Sequence, residues 1–369
     1  MPDNKMLSYQ EKISMKLAEL FGSFGYKKFK MSKFEEYDLY IENKSFLKSE
    51  NIIAFNDPTG KLLALKPDVT LSIAKNTADN ETEPRKLFYS ENVYRVSGNM
   101  HEFKEIPQIG LEFIGDIDTY SLCEVIALAK GALKEISESY VLDVSHMGLL
   151  IGLLESTGLP YAVREEITEY VGTKNSPEIR RILCYNDVSE GLTEKIATLA
   201  SLYGSIDKII PLAEQLVVND TTEAAVGELK EICNTLKQCG QAENINIDFS
   251  VVSDISYYNG ITFRGFVENV PGTILSGGRY DNLLKKLGKN SGAVGFAVYM
   301  DILSYLGKDA ERYDADILLV YDKKASVEEV SKTAAELRMA GNRVFVSSVL
   351  CNNIKYKKLI EIGVDGEEK

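Results

Sequence analysis

The sequence predicts an α+β protein in which an antiparallel sheet with flanking helices is followed by a small α/β unit. Short apolar runs separated by polar turns, typical of strands, lie on both sides of a helical stretch at about residues 155–244. After Tyr313 strand and helix patterns alternate, as in an α/β unit. We therefore predict a large domain at 1–312 and a small one at 313–369.

The large domain is predicted to open with an amphipathic helix. Apolar residues recur at helical spacing from Ile13 to Phe24, where Gly22 and Gly25 weaken or end the pattern. The runs IIAF, LLAL, LFYSENVYRV and QIGLEFIGDI follow and predict strands. A second helix face begins at Leu122, and strands return with INIDFSVV, ISYYNGITFRGFV and TILSGG.

The small domain is predicted from a strand, a helix and a strand. ADILLVYD and RVFVSS flank the helical segment SVEEVSKTAAELRMAG. Ser326 and Glu329 have the spacing of a capping box, and Gly341 is a stop signal. The few residues after RVFVSS are short of a complete domain, so we expect a truncated unit.

Composition excludes several classes of function. The formal net charge of −13 disfavours broad contact with nucleic-acid phosphates, so no tRNA partner is expected. Five cysteines without a CxxC pair and two histidines, His101 and His146, predict neither a metal site nor a disulfide framework. No apolar run approaches the roughly 20 residues of a membrane helix. We expect a cytoplasmic protein without cofactor, metal or membrane contact.

The first segment with residues suited to a ligand is LALKPDVT. Asp68 and Thr70 stand two apart, so on an extended strand both side chains point to one face. A carboxylate and a hydroxyl placed together suit an ammonium group. The alternative is a Pro-Asp turn that exposes both side chains.

The strand QIGLEF alternates polar and apolar residues. Gln108, Gly110 and Glu112 share one face, which is either the exposed side of a half-buried strand or the polar floor of a pocket. In the second case Gly110 leaves room for a ligand. Arg95, at the end of the preceding predicted strand, is suited to a bidentate contact with a carboxylate.

Three further features complete the candidates. Tyr257 and Tyr258 are expected to alternate faces, so that one enters a pocket while the other packs. Gly277 and Gly278 either let backbone approach a ligand or shape a bend. GAVGFAVYMDIL is small and apolar, which suits close packing or a flat ligand.

In combination these segments resemble class II histidyl-tRNA synthetases, from about Leu7 to Gly307. LKPDVT stands where that family has L-R-P-E-x-T, and YRVSG with FKEIPQIGLEFIG resembles the second class II motif and its return strand. SDISYYNGITF resembles the histidine-specific R-G-L-D-Y-Y-T, and SGGRYDNL matches G-G-R-Y-D. GAVGFAVYMDIL resembles the third motif, G-x-G-F-x-x-x-x-E-R-L. The resemblance implies the class II synthetase fold.

The resemblance also implies a histidine pocket. Asp68, Thr70 and Gln108 match positions that hold the amino group, and Glu112 and Tyr258 match those that read the imidazole. Arg95 matches the second-motif arginine, which faces the carboxylate and phosphate. The implied histidine-binding set is Asp68, Thr70, Arg95, Gln108, Glu112, Tyr257 and Tyr258, with pocket backbone from Gly110, Gly277 and Gly278.

The sequence departs from the synthetases at their catalytic positions. Ser97 replaces a glutamate that helps to hold adenine, Ser253 replaces the histidine-specific arginine, and Ile302 replaces the third-motif arginine. Such cations stabilise charge in the transition state, and losing one costs a factor of roughly 10² to 10³. The losses predict essentially no adenylation and no catalytic residues in this chain.

The combination of an implied histidine pocket with missing catalytic cations resembles the pattern of one family, the regulatory subunits of ATP phosphoribosyltransferase. LDVSHMGLLIGLLESTGLP is similar to that family as well, although we expect His146 in it to be a capping or core residue. The resemblance implies a short-form catalytic subunit as partner in the first step of histidine biosynthesis, with histidine as allosteric feedback inhibitor. It also implies a hetero-octamer, within which GYKKFKMSKFEEYDLY resembles the dimerising first class II motif.

Two alternatives belong to other functional classes. The resemblance implies that the segment 313–369 is a truncated anticodon-binding-like unit. An active histidyl-tRNA synthetase is disfavoured by Ser253, by Ile302, by this truncation and by the net charge of −13. A free-standing histidine sensor that binds tRNA is disfavoured by the acidic charge. The sequence leaves open whether the effector binds in the inherited pocket or at a subunit interface, and whether AMP or phosphoribosyl pyrophosphate also binds.

Overall fold

A nine-stranded sheet dominates the computed structural model of the chain, which describes residues 7–44, 47, 52–77, 83–96, 102–252, 257–306 and 313–363. The chain divides into two compact units, Met1–Leu306 and Gly307–Lys369. The α+β class with a class II synthetase-like sheet is confirmed. The predicted boundary at 312 stays a prediction, because residues 307–312 lie outside the described residues.

The strands and helices have the following bounds. The strands are β1 (Lys27–Lys28), β2 (Phe34–Glu36), β3 (Ala54–Asn56), β4 (Leu62–Leu65), β5 (Arg85–Val96), β6 (Phe103–Gly115), β7 (Tyr140–His146), β8 (Tyr203–Ser205), β9 (Ile245–Asp248), β10 (Ile261–Val267), β11 (Leu275–Arg279), β12 (Gly292–Tyr299), β13 (Ala315–Tyr321), β14 (Val344–Ser347) and β15 (Tyr356–Ile362). The helices are α1 (Tyr9–Ser23), α2 (Tyr37–Glu42), α3 (Thr70–Asn76), α4 (Thr119–Ile136), α5 (Met147–Glu155), α6 (Tyr161–Gly172), α7 (Ser176–Tyr185), α8 (Glu190–Leu199), α9 (Ile206–Glu214), α10 (Asp220–Gln238), α11 (Asp281–Lys286) and α12 (Val327–Met339), with a 3₁₀ helix at Asp301–Leu306.

The large sheet has the strand order β1-β5-β6-β12-β11-β10-β7-β9-β8. It is antiparallel from β5 to β7, as predicted, but β1 pairs with β5 and β7 pairs with β9 in parallel. Parallel pairs need a crossover, and the helices α5–α10 provide it between β7 and β9. The segments IIAF and LLAL do not join this sheet, because β3 and β4 pair with β2 in a separate three-stranded sheet.

Helix α1 packs one apolar face against the large core. Ile13, Leu17 and Phe21 are buried, whereas Phe24 is exposed beyond the end of the helix, so the predicted apolar face is one turn too long. Helix α4 packs against α1 and against β7, β10 and β12. The sheet face opposite these helices is therefore the one left for a ligand site.

The C-terminal unit contains a parallel sheet of order β14-β13-β15 with α12 packed against it. Gly341 follows the helix with φ +83°, which confirms it as a stop signal. Ser326 is the N-cap residue but its side chain makes no capping hydrogen bond, so the predicted capping box is wrong. Strand β15 was missed, because its lysines interrupt the apolar pattern.

Among the described residues no helix is long and apolar enough to cross a bilayer.

Candidate functional site

One pocket on the large sheet collects every side chain that the sequence predicted for a histidine site. Its lining includes Asp68, Thr70, Arg95, Gln108, Glu112, Tyr257 and Tyr258. These residues come from four separate parts of the chain: the start of α3, the end of β5, the middle of β6 and the segment before β10. Tertiary structure therefore assembles one site from residues far apart in sequence.

Glu112 is the centre of this pocket. Its side chain is buried, with 1% of the residue exposed. Thr70 Oγ1 donates a hydrogen bond to its Oε1 at 2.7 Å, and Tyr280 OH donates to its Oε2 at 2.5 Å. Burial, opposed by these two hydrogen bonds and assisted by the charge of Asp68, raises the pKa of Glu112 to about 8. The carboxyl group is thus held by two hydroxyl donors and mostly protonated at neutral pH, and a ligand that donates to it would favour its ionised form.

Gln108, Gly110 and Glu112 lie on β6, as predicted from their alternation. The interpretation as a half-exposed strand is wrong, because every residue of β6 from Gln108 to Gly115 is buried. Ile109, Leu111 and Phe113 pack into the main core, so the polar residues face the pocket side. This part of the strand therefore has a polar side that is buried within the protein.

Asp68 and Thr70 meet in the pocket for a different reason from the one expected. They do not lie on a strand: Asp68 precedes α3, and Thr70 is the first residue of that helix. Asp68 Oδ1 accepts a hydrogen bond from Leu71 N–H at 2.9 Å, which satisfies one of the free donors at the start of the helix. The turn thus aims both side chains into the pocket and exposes neither fully.

Arg95 lies near the end of β5 and lines the pocket. Its Nε donates to the carbonyl of Pro67 at 3.1 Å, so the guanidinium is anchored to the segment that carries Asp68. Among the described lining residues, two carboxyl groups thus face one guanidinium. This balance suits a ligand that carries both an ammonium group and a carboxylate.

Tyr257 and Tyr258 both line the pocket, so the expectation that one would pack elsewhere is wrong. Their rings contact edge to face with centroids 4.5 Å apart. Neither residue is on a strand, and the alternation rule therefore does not apply to them. Burial raises the pKa of both phenols, which keeps them neutral as hydrogen-bond donors.

The three glycines predicted as pocket backbone are not part of the lining. A Cβ at Gly110 would stand 2.5 Å from the Tyr89 hydroxyl, and one at Gly278 would stand 2.7 Å from the Tyr258 ring. A Cβ at Gly277 would collide with the backbone of Gly295 at 2.3 Å. These glycines leave room for the pocket walls and for strand pairing, and their role toward a ligand stays a prediction.

Several lining residues were not predicted. They are Val69, Tyr89, Ser276, Tyr280, Gly295, Phe296, Ala297 and Tyr299. Tyr280 could have been found, since it is the tyrosine of the matched G-G-R-Y-D segment. Tyr299 shares a 2.7 Å hydrogen bond with Ser276 across β11 and β12, and no local pattern announces that pair.

The pocket encloses a free volume of about 40 Å³. Typical ligand pockets measure roughly 300–1,000 Å³. The free volume is therefore smaller than that of a typical ligand pocket.

Of the positions that differ from the synthetases, Ile302 is the one that lies within the described part of the chain, and it is not in this lining. Ile302 lies in the 3₁₀ helix after β12 and packs, half-buried, against the main core. Ser97 and Ser253 lie outside the described residues, as does His101. His146 accepts a hydrogen bond from Gly148 N–H at the start of α5, which confirms it as a capping residue.

Sequence and structure comparisons agree with this geometry. The sequence model of the family "Histidyl-tRNA synthetase" matches residues 4–303. The fold and the family model together place the chain in the histidyl-tRNA synthetase class.

Similar proteins with a more specific name show which family within this class the chain belongs to. The ATP phosphoribosyltransferase regulatory subunit of Clostridium kluyveri is 32% identical over 88% of this chain and 85% of its own length. The chain belongs to the family of ATP phosphoribosyltransferase regulatory subunits, as its motifs suggested.

Solved structures support the same relationship. The regulatory subunit/histidyl-tRNA synthetase of Bacillus halodurans C has a TM-score of 0.80 at 25% identity and covers 96% of this chain and 94% of its own. A chain of the ATP phosphoribosyl transferase (HisG:HisZ) complex of Thermotoga maritima has a TM-score of 0.62 at 18% identity, covering 80% of this chain and 98% of its own. At that identity the second likeness concerns the fold alone.

Proposed function

We propose that this chain is the non-catalytic regulatory subunit of an ATP phosphoribosyltransferase complex, and that it binds histidine in the pocket around Glu112. Histidine bound there inhibits a short-form catalytic subunit in the first step of histidine biosynthesis. The complex acts in the cytoplasm, in keeping with five cysteines that are all free.

The observation that carries the proposal is the hydrogen-bonded carboxyl group of Glu112. It has two hydroxyl donors, from Thr70 and Tyr280, and faces a pocket that also contains Asp68 and Arg95. An imidazole N–H can donate to Glu112, an ammonium group to Asp68, and a carboxylate can accept from Arg95. Histidine carries these three groups together.

The absence of catalysis is supported by Ile302. A side chain that packs against the core cannot pair with a nucleotide phosphate, which the arginine at the matching synthetase position does. Ser253 removes a second cation from the sequence. The proposal therefore assigns binding without adenylation to this chain.

The partner is supported by the relatives. The C. kluyveri protein is named a regulatory subunit, and the T. maritima structure is a complex of two different chains. By the same family resemblance we propose a hetero-octamer in which this chain self-associates through the region around β1, β2 and α2. Light scattering of the isolated chain at micromolar concentration should give at least a dimer, and a monomeric mass would contradict this part.

The small free volume of the pocket supports an allosteric mechanism. Because this volume of about 40 Å³ is smaller than that of a typical ligand pocket, histidine binding selects a different arrangement of the lining side chains. Inhibition then requires that the catalytic partner favours one of the two arrangements.

The decisive experiment mixes the chain with a short-form catalytic subunit. Phosphoribosyltransferase activity is measured for the catalytic subunit alone, for the mixture, and for the mixture with increasing histidine. We expect activation by this chain and inhibition by histidine, with calorimetric binding of histidine to the isolated chain. No change of activity on mixing would reject the regulatory role, and inhibition without binding to this chain would place the effector elsewhere.

A further inference from the structure

A chain of hydrogen-bonded polar side chains lies next to the pocket without lining it. We call it the Arg279 network. Its members are His146, Glu228, Asn259, Arg279 and Asp281. None of these residues belongs to the pocket lining, and the network has no part in the proposed histidine contacts.

Asp281 is the most heavily bonded member. It is 6% exposed, and its Oδ2 accepts from Arg279 Nε at 2.8 Å and from Asn259 Nδ2 at 3.1 Å. Its Oδ1 accepts from Ala293 N–H at 3.0 Å, and its own N–H donates to Asn259 Oδ1 at 3.0 Å. A buried carboxylate with three donors holds its neighbours in one geometry.

Arg279 connects this carboxylate to the helical region. Its NH1 donates to Glu228 Oε1 on α10 at 3.1 Å, and the other Glu228 oxygen lies 2.6 Å from His146 Nε2. Because His146 Nδ1 accepts from Gly148, we assign the ring proton to Nε2, which donates to Glu228. A Cβ at Gly260 would stand 3.0 Å from Arg279 Cδ, so the aliphatic part of the arginine lies close against the Gly260 backbone.

The network is joined covalently to two walls of the pocket. Tyr280 stands between Arg279 and Asp281 and donates to Glu112, while Asn259 directly follows Tyr258. The Asn259 amide and the Asp281 carboxylate thus tie the two tyrosine-bearing segments together. Backbone bonds add to this, with Asn259 N–H donating to Arg279 O at 3.2 Å.

We propose that Arg279 and Asp281 are positioning residues for the ligand pocket: they set the separation of Tyr258 and Tyr280 and link it to α10 through Glu228. The inference rests on the proposed function for its ligand, histidine. Under this inference, two residues outside the pocket contribute to the affinity of the pocket for histidine.

The variant Arg279→Met removes the link while keeping the length of the side chain. Arg279 and Asp281 also line a second cavity of about 380 Å³, so water can reach the Asp281 carboxylate and the variant should fold. By analogy with outer-shell partners of metal ligands, whose loss costs roughly 10- to 100-fold, we expect histidine to bind about 10-fold more weakly. Arg180→Met, which breaks an exposed bidentate pair with Glu194, is the matched control and should bind as wild type.

A double-mutant cycle distinguishes positioning from general destabilisation. If Arg279 acts through Tyr280, the loss caused by Arg279→Met should shrink in a Tyr280→Phe background and persist in an Asp68→Asn background. Equal losses in both backgrounds would overturn the inference, because a structural effect has no preference for Tyr280. Wild-type affinity in Arg279→Met would overturn it as well.

A second readout needs no histidine. In Arg279→Met the backbone N–H groups of Asn259 and Asp281, both bonded within the network, should exchange with solvent about 10-fold faster than in wild type, with the core helix α1 unchanged. If wild-type protein fails to bind histidine, the proposed function fails, and faster exchange still supports positioning. Unchanged exchange at these two amides overturns the positioning role whatever the ligand.

Discussion

Two positions of the synthetase-like domain, Glu112 in the pocket and Ile302 outside its described lining, contrast in what their side chains do for the fold. Glu112 is buried with hydroxyl partners and a pKa raised to about 8, so its burial opposes folding at neutral pH. Ile302 packs against the main core, which stabilises the fold. A polar group that costs stability points to ligand binding, whereas an apolar group in place of a catalytic cation points to lost chemistry.

The largest expected effect tests the Ile302 position. Each missing cation lowers the rate by roughly 10² to 10³, so two should lower histidine-dependent pyrophosphate exchange with ATP by about 10⁴ or more relative to an active synthetase. We expect no measurable exchange by this chain. If the chain exchanged pyrophosphate as fast as a synthetase assayed in parallel, adenylation would not have been lost at the Ile302 position. The contrast with Glu112 would then not hold.

The next effect tests the Glu112 position. Glu112→Ala should weaken histidine binding by about 10- to 150-fold, since losing a hydrogen bond to a charged group costs about 1.5–3 kcal/mol. Asp68→Asn should act similarly through the ammonium group and, unlike Asp68→Ala, keeps an acceptor for Leu71 N–H. Both complexes should assemble, remain active without histidine and lose its inhibition.

Inhibition curves and calorimetry on each variant measure this effect. Glu194→Ala, at an exposed ion pair, is the matched control and should leave inhibition unchanged. If the half-inhibitory concentration of histidine were unchanged in both pocket variants, the effector would bind at a subunit interface and the pocket would have no role in regulation.

Gly295→Ala sharpens the contrast by changing the space around Glu112. The added Cβ would stand 1.8 Å from Glu112 Oε2 and 2.4 Å from the Leu111 carbonyl oxygen, so the carboxyl group and the paired backbone of β6 and β12 must both shift. Overpacking of this kind typically costs about 1–3 kcal/mol, and we expect a lower free energy of unfolding together with weaker histidine binding.

Urea denaturation, monitored by tyrosine fluorescence, measures the free energy of unfolding, since the chain has 20 tyrosines and no tryptophan. Gly227→Ala, on an open face of α10 with no atom within 4 Å of the new Cβ, is the control and should stabilise the protein by up to about 1 kcal/mol. Equal behaviour of the two variants would show that Glu112 is not confined by Gly295.

The remaining effect is a pH dependence. The pKa of Glu112 is raised from 4.5 to about 8 by burial, so between these values the folded protein keeps a proton that the unfolded chain releases. The contribution of Glu112 to the free energy of unfolding is therefore full below pH 4.5 and falls as pH rises through about 8.

Denaturation across this pH window, compared with Glu112→Gln, isolates the contribution because glutamine does not titrate. Histidine should favour the ionised carboxyl group and bind more tightly as pH rises toward 8, by at most about 10-fold per pH unit. Identical pH profiles for wild type and Glu112→Gln would show that the carboxyl group is not perturbed.

Local sequence patterns were enough for part of this site. The alternation in QIGLEF placed Gln108 and Glu112 on one face of β6, because side-chain direction along a strand depends only on the backbone period of two. The residues of the five motifs were enough to indicate the family. The replacement at Ile302 was visible as a single letter and already indicated lost catalysis.

Tertiary structure alone decided how the pocket closes. Glu112 meets Gly295 because β6 pairs with β12, and Tyr280 reaches Glu112 from the end of β11, the strand beyond β12. The partners are separated by well over a hundred residues, and strand register across such a distance is set by the packing of the whole core. The same reason explains why burial of Glu112, the role of the glycines and the Arg279 network could not be predicted from the sequence.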